Sequence, residues 1–132
     1  MLRQYGAIPY LRDKGKLKVV LITSASGYWI FPKGQYEKPL GKRGTAELEA
    51  REEAGVKGRI RRDNAYRAKV YIKSGDRVEL TLYAMKVDKL LPEWKEDDRR
   101  ERKVVSIGTA EKLMTSDALK KCLRKFVRDM AD

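Results

Sequence analysis

The chain has 132 residues, 31 lysines and arginines against 19 acids, a net charge of +12 and a pI near 9.9. This length makes one domain, residues 1–132, with room for a real core, and 38% charged with 42% hydrophobic residues excludes a disordered chain. Histidine is absent and Cys122 is the single cysteine, which excludes zinc hydrolase sites of the usual kind, Ser-His-Asp catalysis and an internal disulfide.

Acid–base work therefore falls to Glu, Asp, Lys or Tyr. No apolar run approaches the ~18 residues that span a membrane, so no membrane association is expected. The opening MLRQYGAIPY lacks a signal-peptide apolar region. With one free cysteine, this makes a cytoplasmic location the expectation. The basic surplus favours polyanionic partners, such as nucleic acid or a heavily phosphorylated small molecule. A chain rich in solvated lysine has the same balance.

In chain order, residues 3–10 read as a first strand, Gly15 as part of a turn and residues 16–24 (KLKVVLITS) as a β-rich strand. Residues 28–31 make a short apolar strand ended by Pro32. Residues 33–44 carry Gly34, Pro39, Gly41 and Gly44 and read as a loop. Thr45 is the expected N-cap of a helix over 46–54, with Glu47 and Glu49 in its first turns and Gly55 as its stop. Strands follow over 57–73, broken near Asp63-Asn64, and over 77–88, joined by a turn at Ser74-Gly75-Asp76. A polar loop over 89–98 carries Pro92 and Trp94. A strand over 101–107, a short helix over 109–114 and a final helix capped by Ser116 complete the chain. Leu119, Cys122, Leu123, Phe126, Val127 and Met130 recur at helical spacing on that last helix, so they form a core stripe with Cys122 as a buried thiol. This order fits an α+β fold with a mixed sheet between helices.

The helix over 46–54 carries the chemistry. Glu49, Glu52 and Glu53 lie at i, i+3 and i+4 on one helix face. Three clustered carboxylates repel, and a hard divalent cation, Mg²⁺ or Mn²⁺, relieves that repulsion. A solvated acidic face has the same spacing.

The stretch 34–56, GQYEKPLGKRGTAELEAREEAGV, resembles the Nudix box, G-x5-E-x7-R-E-U-x-E-E-x-G-U with U aliphatic. Gly34, Glu49, Ala50, Glu52, Glu53, Gly55 and Val56 match, and the 23-residue length is kept without a gap. Leu40 and Leu48 stand where the box has its first Glu and its Arg. The flanks YGAIPY, KVVLIT, YWIFPKG and the segment from Trp94 through RRER and VVS resemble bacterial Nudix proteins related to diphosphoinositol polyphosphate phosphohydrolases.

The resemblance implies the Nudix α/β/α sandwich with the box as loop, helix and loop. It implies a Mg²⁺ (or Mn²⁺) ion held by Glu49 and Glu53, with the Gly34 carbonyl and waters, and Glu52 as a ligand or the base. Such an ion neutralises phosphate charge and makes hydroxide available near neutral pH. The box Arg orients the glutamates by ion pairing, which Leu48 cannot do. A contact between Leu40 and Leu48 is one expected compensation. Arg51 projects about 100° from Glu52 on a helix and is a poor substitute.

Lys33 is a candidate phosphate contact; the alternative reading is a solvated loop lysine. Arg99, Arg100 and Arg102 form a denser candidate, since arginine forks pair bidentately with phosphate. In a strand, residues 100 and 102 face one side. Arg67, Lys69 and Tyr71 share a second possible strand face. Trp29 reads as core, and Trp94 either stacks on a base or covers the core edge.

The expected function is Mg²⁺-dependent cleavage of a phosphoanhydride bond in a phosphate-rich small molecule: a diadenosine polyphosphate, a diphosphoinositol polyphosphate or a nucleoside polyphosphate. Two alternatives stand beside it. One is pyrophosphate removal from RNA 5′ ends, with steep salt dependence. The other is a Nudix-fold module that binds a nucleotide or nucleic acid without turnover.

Overall fold

The structure, a computed structural model, describes residues 2–60 and 63–131. Alternating burial along the strands builds a sheet with two apolar faces. On β2 (Lys16–Thr23), Val19 and Leu21 enter one buried cluster while Val20 and Ile22 enter the other. Two long strands, β1 (Leu2–Asp13) and β7 (Arg77–Leu90), run parallel side by side at the centre, with Leu2 beside Val78 and Tyr10 beside Lys86. The remaining pairings are antiparallel: β2, β3 (Trp29–Ile30), β4 (Lys33–Gln35), β5 (Val56–Arg59), β6 (Ala65–Tyr71) and β8 (Arg102–Ser106). The sheet is mixed, as the sequence predicts.

Helix α1 (Gly41–Ala54) covers one face. Its Ala46, Ala50 and Ala54 pack with Ala7, Val20, Ile22, Val56 and Met85. Small alanines let the helix lie close to the strands, which brings its glutamates down onto the sheet. Helices α2 (Ile107–Leu113) and α3 (Asp117–Met130) cover the other face. There Met114, Leu119, Leu123 and Phe126 meet Ile8, Leu21, Leu80 and Leu82. The result is an α/β/α sandwich, with Cys122 buried in the α3 stripe.

Ser116 caps α3, accepting from the Leu119 N–H at 3.2 Å. The turn at Ser74–Asp76 forms around Gly75 at φ 88°. The break between β5 and β6 falls where expected, beside Asp63-Asn64. The two strands it separates pair with successive stretches of β7.

Three local expectations are corrected. Residues 33–35 are strand rather than loop, because Gly6 lets this segment pass close to β1. A Cβ on Gly6 would lie 2.2 Å from the Pro32 carbonyl oxygen, and Ala7 N–H donates to that oxygen at 3.1 Å. Helix α1 begins at Gly41, one turn before Thr45, and Leu40 at its N-cap offers no side-chain acceptor. Thr45 lies inside the helix, fully buried, and its hydroxyl donates to the Gly41 carbonyl at 2.7 Å and accepts from the Glu37 N–H at 3.0 Å. The hydroxyl ties down the loop before the helix instead of capping it. Glu47 consequently sits mid-helix and accepts from the Ile60 N–H at 3.1 Å.

Candidate active site

The i, i+4 spacing and the sheet-facing position of α1 bring Glu49 and Glu53 together against β4. Gly34 lies directly beneath Glu49: a Cβ there would stand 2.3 Å from the Glu49 carboxyl carbon. Glycine is thus required by close approach and not by backbone torsion. Glu53 is 7% exposed. Its Oε1 accepts from the Lys33 N–H at 3.0 Å, and its Oε2 lies 3.5 Å from Arg100 Nη2.

The two carboxyl groups share a hydrogen bond. Burial and the neighbouring Glu53 push Glu49 up to about 8, so it keeps the proton and donates to Glu53. Burial raises Glu53 as well, opposed by Arg100 and by the Lys33 N–H. Two acids that hold a proton between them near neutral pH form a site that a divalent cation fits, since hard oxygen donors suit Mg²⁺ or Mn²⁺. Glu52 turns outward and pairs with Lys95 at 3.3 Å. Among the described residues, no three acidic, cysteine or histidine side chains converge on one point. The sequence places the three glutamates on one face, whereas the structure joins only Glu49 and Glu53.

The candidate phosphate contacts separate in the same way. Lys33 reaches from β4 to Gln4, its ammonium donating to Gln4 Oε1 at 2.9 Å, and burial lowers its pKa. Arg100 lies in the loop before β8 and meets Glu53 itself. Arg99 is largely exposed and pairs with Asp98 at 3.7 Å. It lines a shallow cavity of about 390 Å³ with Thr23, Gly27 and Asp97.

Arg102 does not accompany Arg100, because residue 100 precedes the strand. Its Nη1 donates to the carbonyls of Ala54 (3.0 Å), Gly55 (3.3 Å) and Leu91 (2.9 Å). Its guanidinium stacks on Trp94 at 4.1 Å. These carbonyls include the unpaired end of α1, where a cation also meets the negative end of the helix dipole. Arg102 is therefore a clamp on the box helix, its guanidinium engaged by backbone carbonyls and the Trp94 ring. Trp94 has the same duty, its indole N–H donating to the Glu53 carbonyl at 3.0 Å. Gly55, at φ 64°, leaves room for both, since a Cβ would meet Arg102 Nη1 at 2.7 Å and Trp94 at 2.8 Å. Arg102→Met should destabilise the fold by about 2–3 kcal/mol, because buried carbonyls lose their donors. Urea denaturation measures this, and an unchanged midpoint would contradict the clamp.

A cleft of about 450 Å³ opens beside Lys33 and Arg100. Tyr28, Trp29, Ile30, Val70 and Tyr71 line it, with Ser116 and Leu119 from the start of α3. Tyr28 is 57% exposed and Tyr71 76% exposed, so both rings are available to a ligand. Trp29 is half-buried at the cleft, with the Lys103 ammonium 5.0 Å above its ring. Sequence reading missed Gln4, Thr23 and Glu96, which hold Lys33 and Arg100 in place. Only the i, i+4 spacing of Glu96 and Arg100 signalled one of these pairings.

The comparisons agree with this architecture. No family model matches the chain. It is 32% identical over 149 residues to Nudix hydrolase 13, mitochondrial, of Arabidopsis thaliana, covering 96% of this chain and 74% of that protein. Nudix hydrolase 12, mitochondrial, of the same plant is 31% identical over 126 residues, covering 89% of this chain and 62% of that protein. Among solved structures, a C. elegans Ap4A hydrolase binary complex superposes with a TM-score of 0.85 at 20% identity, covering 98% of each chain. The chain belongs to the Nudix hydrolase family, the pyrophosphohydrolases that act on acid anhydrides. Among the described residues, no helix is long and apolar enough to cross a membrane.

Proposed function

We propose that the protein hydrolyses a phosphoanhydride bond in a nucleotide-bearing polyphosphate, with a diadenosine polyphosphate as the leading substrate class, in the presence of Mg²⁺ or Mn²⁺. The observation that carries this reading is the Glu49–Glu53 pair, with Glu53 buried, joined to an aromatic cleft through Lys33 and Arg100, which line the cleft and adjoin Glu53. Glu49 and Glu53, with the Gly34 carbonyl, would hold the cation, and Glu52 would join as ligand or base by releasing Lys95. A bound divalent ion supplies phosphate charge neutralisation and a hydroxide near neutral pH.

The chain's own residues divide the remaining work. Lys33 offers an ammonium to a bridging phosphate from the cleft floor. Arg99 meets outlying phosphates at the exposed rim. Tyr28 and Tyr71 offer ring faces to a nucleobase, and such stacking is worth about 1–3 kcal/mol per base. A diphosphoinositol polyphosphate has no planar ring for them, which ranks it behind nucleotides. The Ap4A hydrolase named among the solved structures has the same fold.

A substrate panel tests the reading. Diadenosine tetraphosphate, a diphosphoinositol polyphosphate, nucleoside triphosphates and 5′-triphosphorylated RNA are incubated with protein and Mg²⁺ or Mn²⁺, and products are resolved by chromatography. Preferred turnover of diadenosine tetraphosphate is expected. Turnover of RNA alone would move the assignment to RNA 5′ ends. Tight binding in chelator without turnover of any member would favour a binding module.

A further inference from the structure

We propose that Arg100 is the positioning residue for Glu53, doing from the loop before β8 what an arginine at position 48 does in the Nudix box. The proposal rests on the metal-site reading above. Leu48 has no charge to orient a carboxylate. It joins neither buried apolar cluster among the described residues, and Leu40 is 46% exposed. An apolar contact between Leu40 and Leu48 would supply no charge in place of the lost ion pair. Arg51 is exposed on the helix.

Arg100 is built for the task. Its side chain is only 19% exposed. Nε donates to Glu96 Oε1 at 2.8 Å and Nη1 to the Thr23 carbonyl at 2.8 Å. Both anchors are themselves fixed. The Glu96 N–H donates to the Glu52 carbonyl at 3.1 Å, and Thr23 exchanges two hydrogen bonds with Glu101 at 3.1 and 3.0 Å. A guanidinium is a rigid plane, so two anchored edges fix where the third points. The third edge, Nη2, faces Glu53 Oε2 at 3.5 Å.

The other Glu53 oxygen is held by the Lys33 N–H. Both oxygens are thus set by groups outside α1, as a helix without its box arginine requires. The loop that carries Arg100 also seals the end of α1 through Glu96 and Trp94. One segment therefore fixes the helix end and aims its last glutamate.

The test compares the wild type with Arg100→Leu, Arg100→Lys, Leu48→Arg and the double variant Arg100→Leu/Leu48→Arg. Mn²⁺ affinity is read by electron paramagnetic resonance, and kcat and KM for diadenosine tetraphosphate are read separately. Arg100→Leu should weaken Mn²⁺ binding about 10–100-fold, the usual cost of losing an outer partner of a metal ligand. Its kcat should fall with little change in KM. Arg100→Lys should stay impaired, because an ammonium lacks the rigid plane that aims one edge at Glu53 while the others are anchored. Leu48→Arg should restore most of the Mn²⁺ affinity in the Arg100→Leu background. Unchanged Mn²⁺ affinity with a raised KM would overturn the proposal and make Arg100 a substrate contact. Failure of the double variant to recover would overturn the replacement of position 48. If Arg100→Leu does not fold, Glu96→Gln loosens the same guanidinium and should weaken Mn²⁺ binding, and no change there would overturn the proposal too. A wild type that binds no Mn²⁺ would bring down the metal-site reading first.

Discussion

Glu53→Gln should cut metal-dependent turnover by more than about 100-fold, beyond the loss typical of outer-sphere partners, while the protein still folds. The amide keeps the shape of the carboxylate and an oxygen for the Lys33 N–H, so the backbone contact that docks β4 on α1 survives. It removes the negative charge that a divalent ion needs and that Arg100 faces. Thermal melting of the metal-free variant should still show a single cooperative transition, which separates loss of turnover from loss of fold. Near-normal turnover at saturating Mg²⁺ would show that Glu53 holds no ion.

The second large effect is on pH. Glu49 is pushed up to about 8 from an ordinary value of 4.5, chiefly by burial and by Glu53. Between those values the folded chain holds a proton that the unfolded chain has released. The sign is then fixed: this group's contribution to stability is fully present below about 4.5 and is lost as pH rises through about 8. The metal-free protein should melt at progressively lower temperature over that window. Saturating Mg²⁺ should flatten the trend by replacing the proton, and Glu49→Gln should flatten it without metal. Metal binding should release a proton, so apparent affinity should fall up to about tenfold per unit below pH 8. Calorimetry in two buffers of different ionisation enthalpy measures that proton directly. Binding without proton release would contradict the shared-proton pair.

The fold was largely legible because its signals are local. Alternation on KLKVVLIT, the stripe on α3, the Ser116 cap and the Gly75 turn each depend on a few neighbouring residues, and each appears in place. The start of α1 was misread because Thr45 has the chemistry of a cap, while its partners, Glu37 and Gly41, come from a fold of the preceding loop. Strand β4 was hidden because a glycine far upstream, Gly6, permits it.

Helical spacing was enough to bring Glu49 and Glu53 side by side, since they share one helix and one face. It was not enough to place Glu52, which turns outward to pair with Lys95 of a distant loop. The arginines show the same limit. A strand face would have joined Arg100 to Arg102, yet β8 begins only at Arg102. Two positions along the chain separate a residue aimed at Glu53 from one that clamps the helix end. The cleft aromatics Tyr28 and Tyr71 lie 43 residues apart and meet only through the tertiary fold.

The most direct test of the central claim is a crystal soaked in Mn²⁺ and measured for anomalous scattering. The account predicts a peak bounded by the carboxylates of Glu49 and Glu53 and the Gly34 carbonyl, absent from Glu53→Gln crystals grown in the same way. A peak at another group of ligands, or none at this pair in crystals of protein that turns over substrate with Mn²⁺, would contradict it.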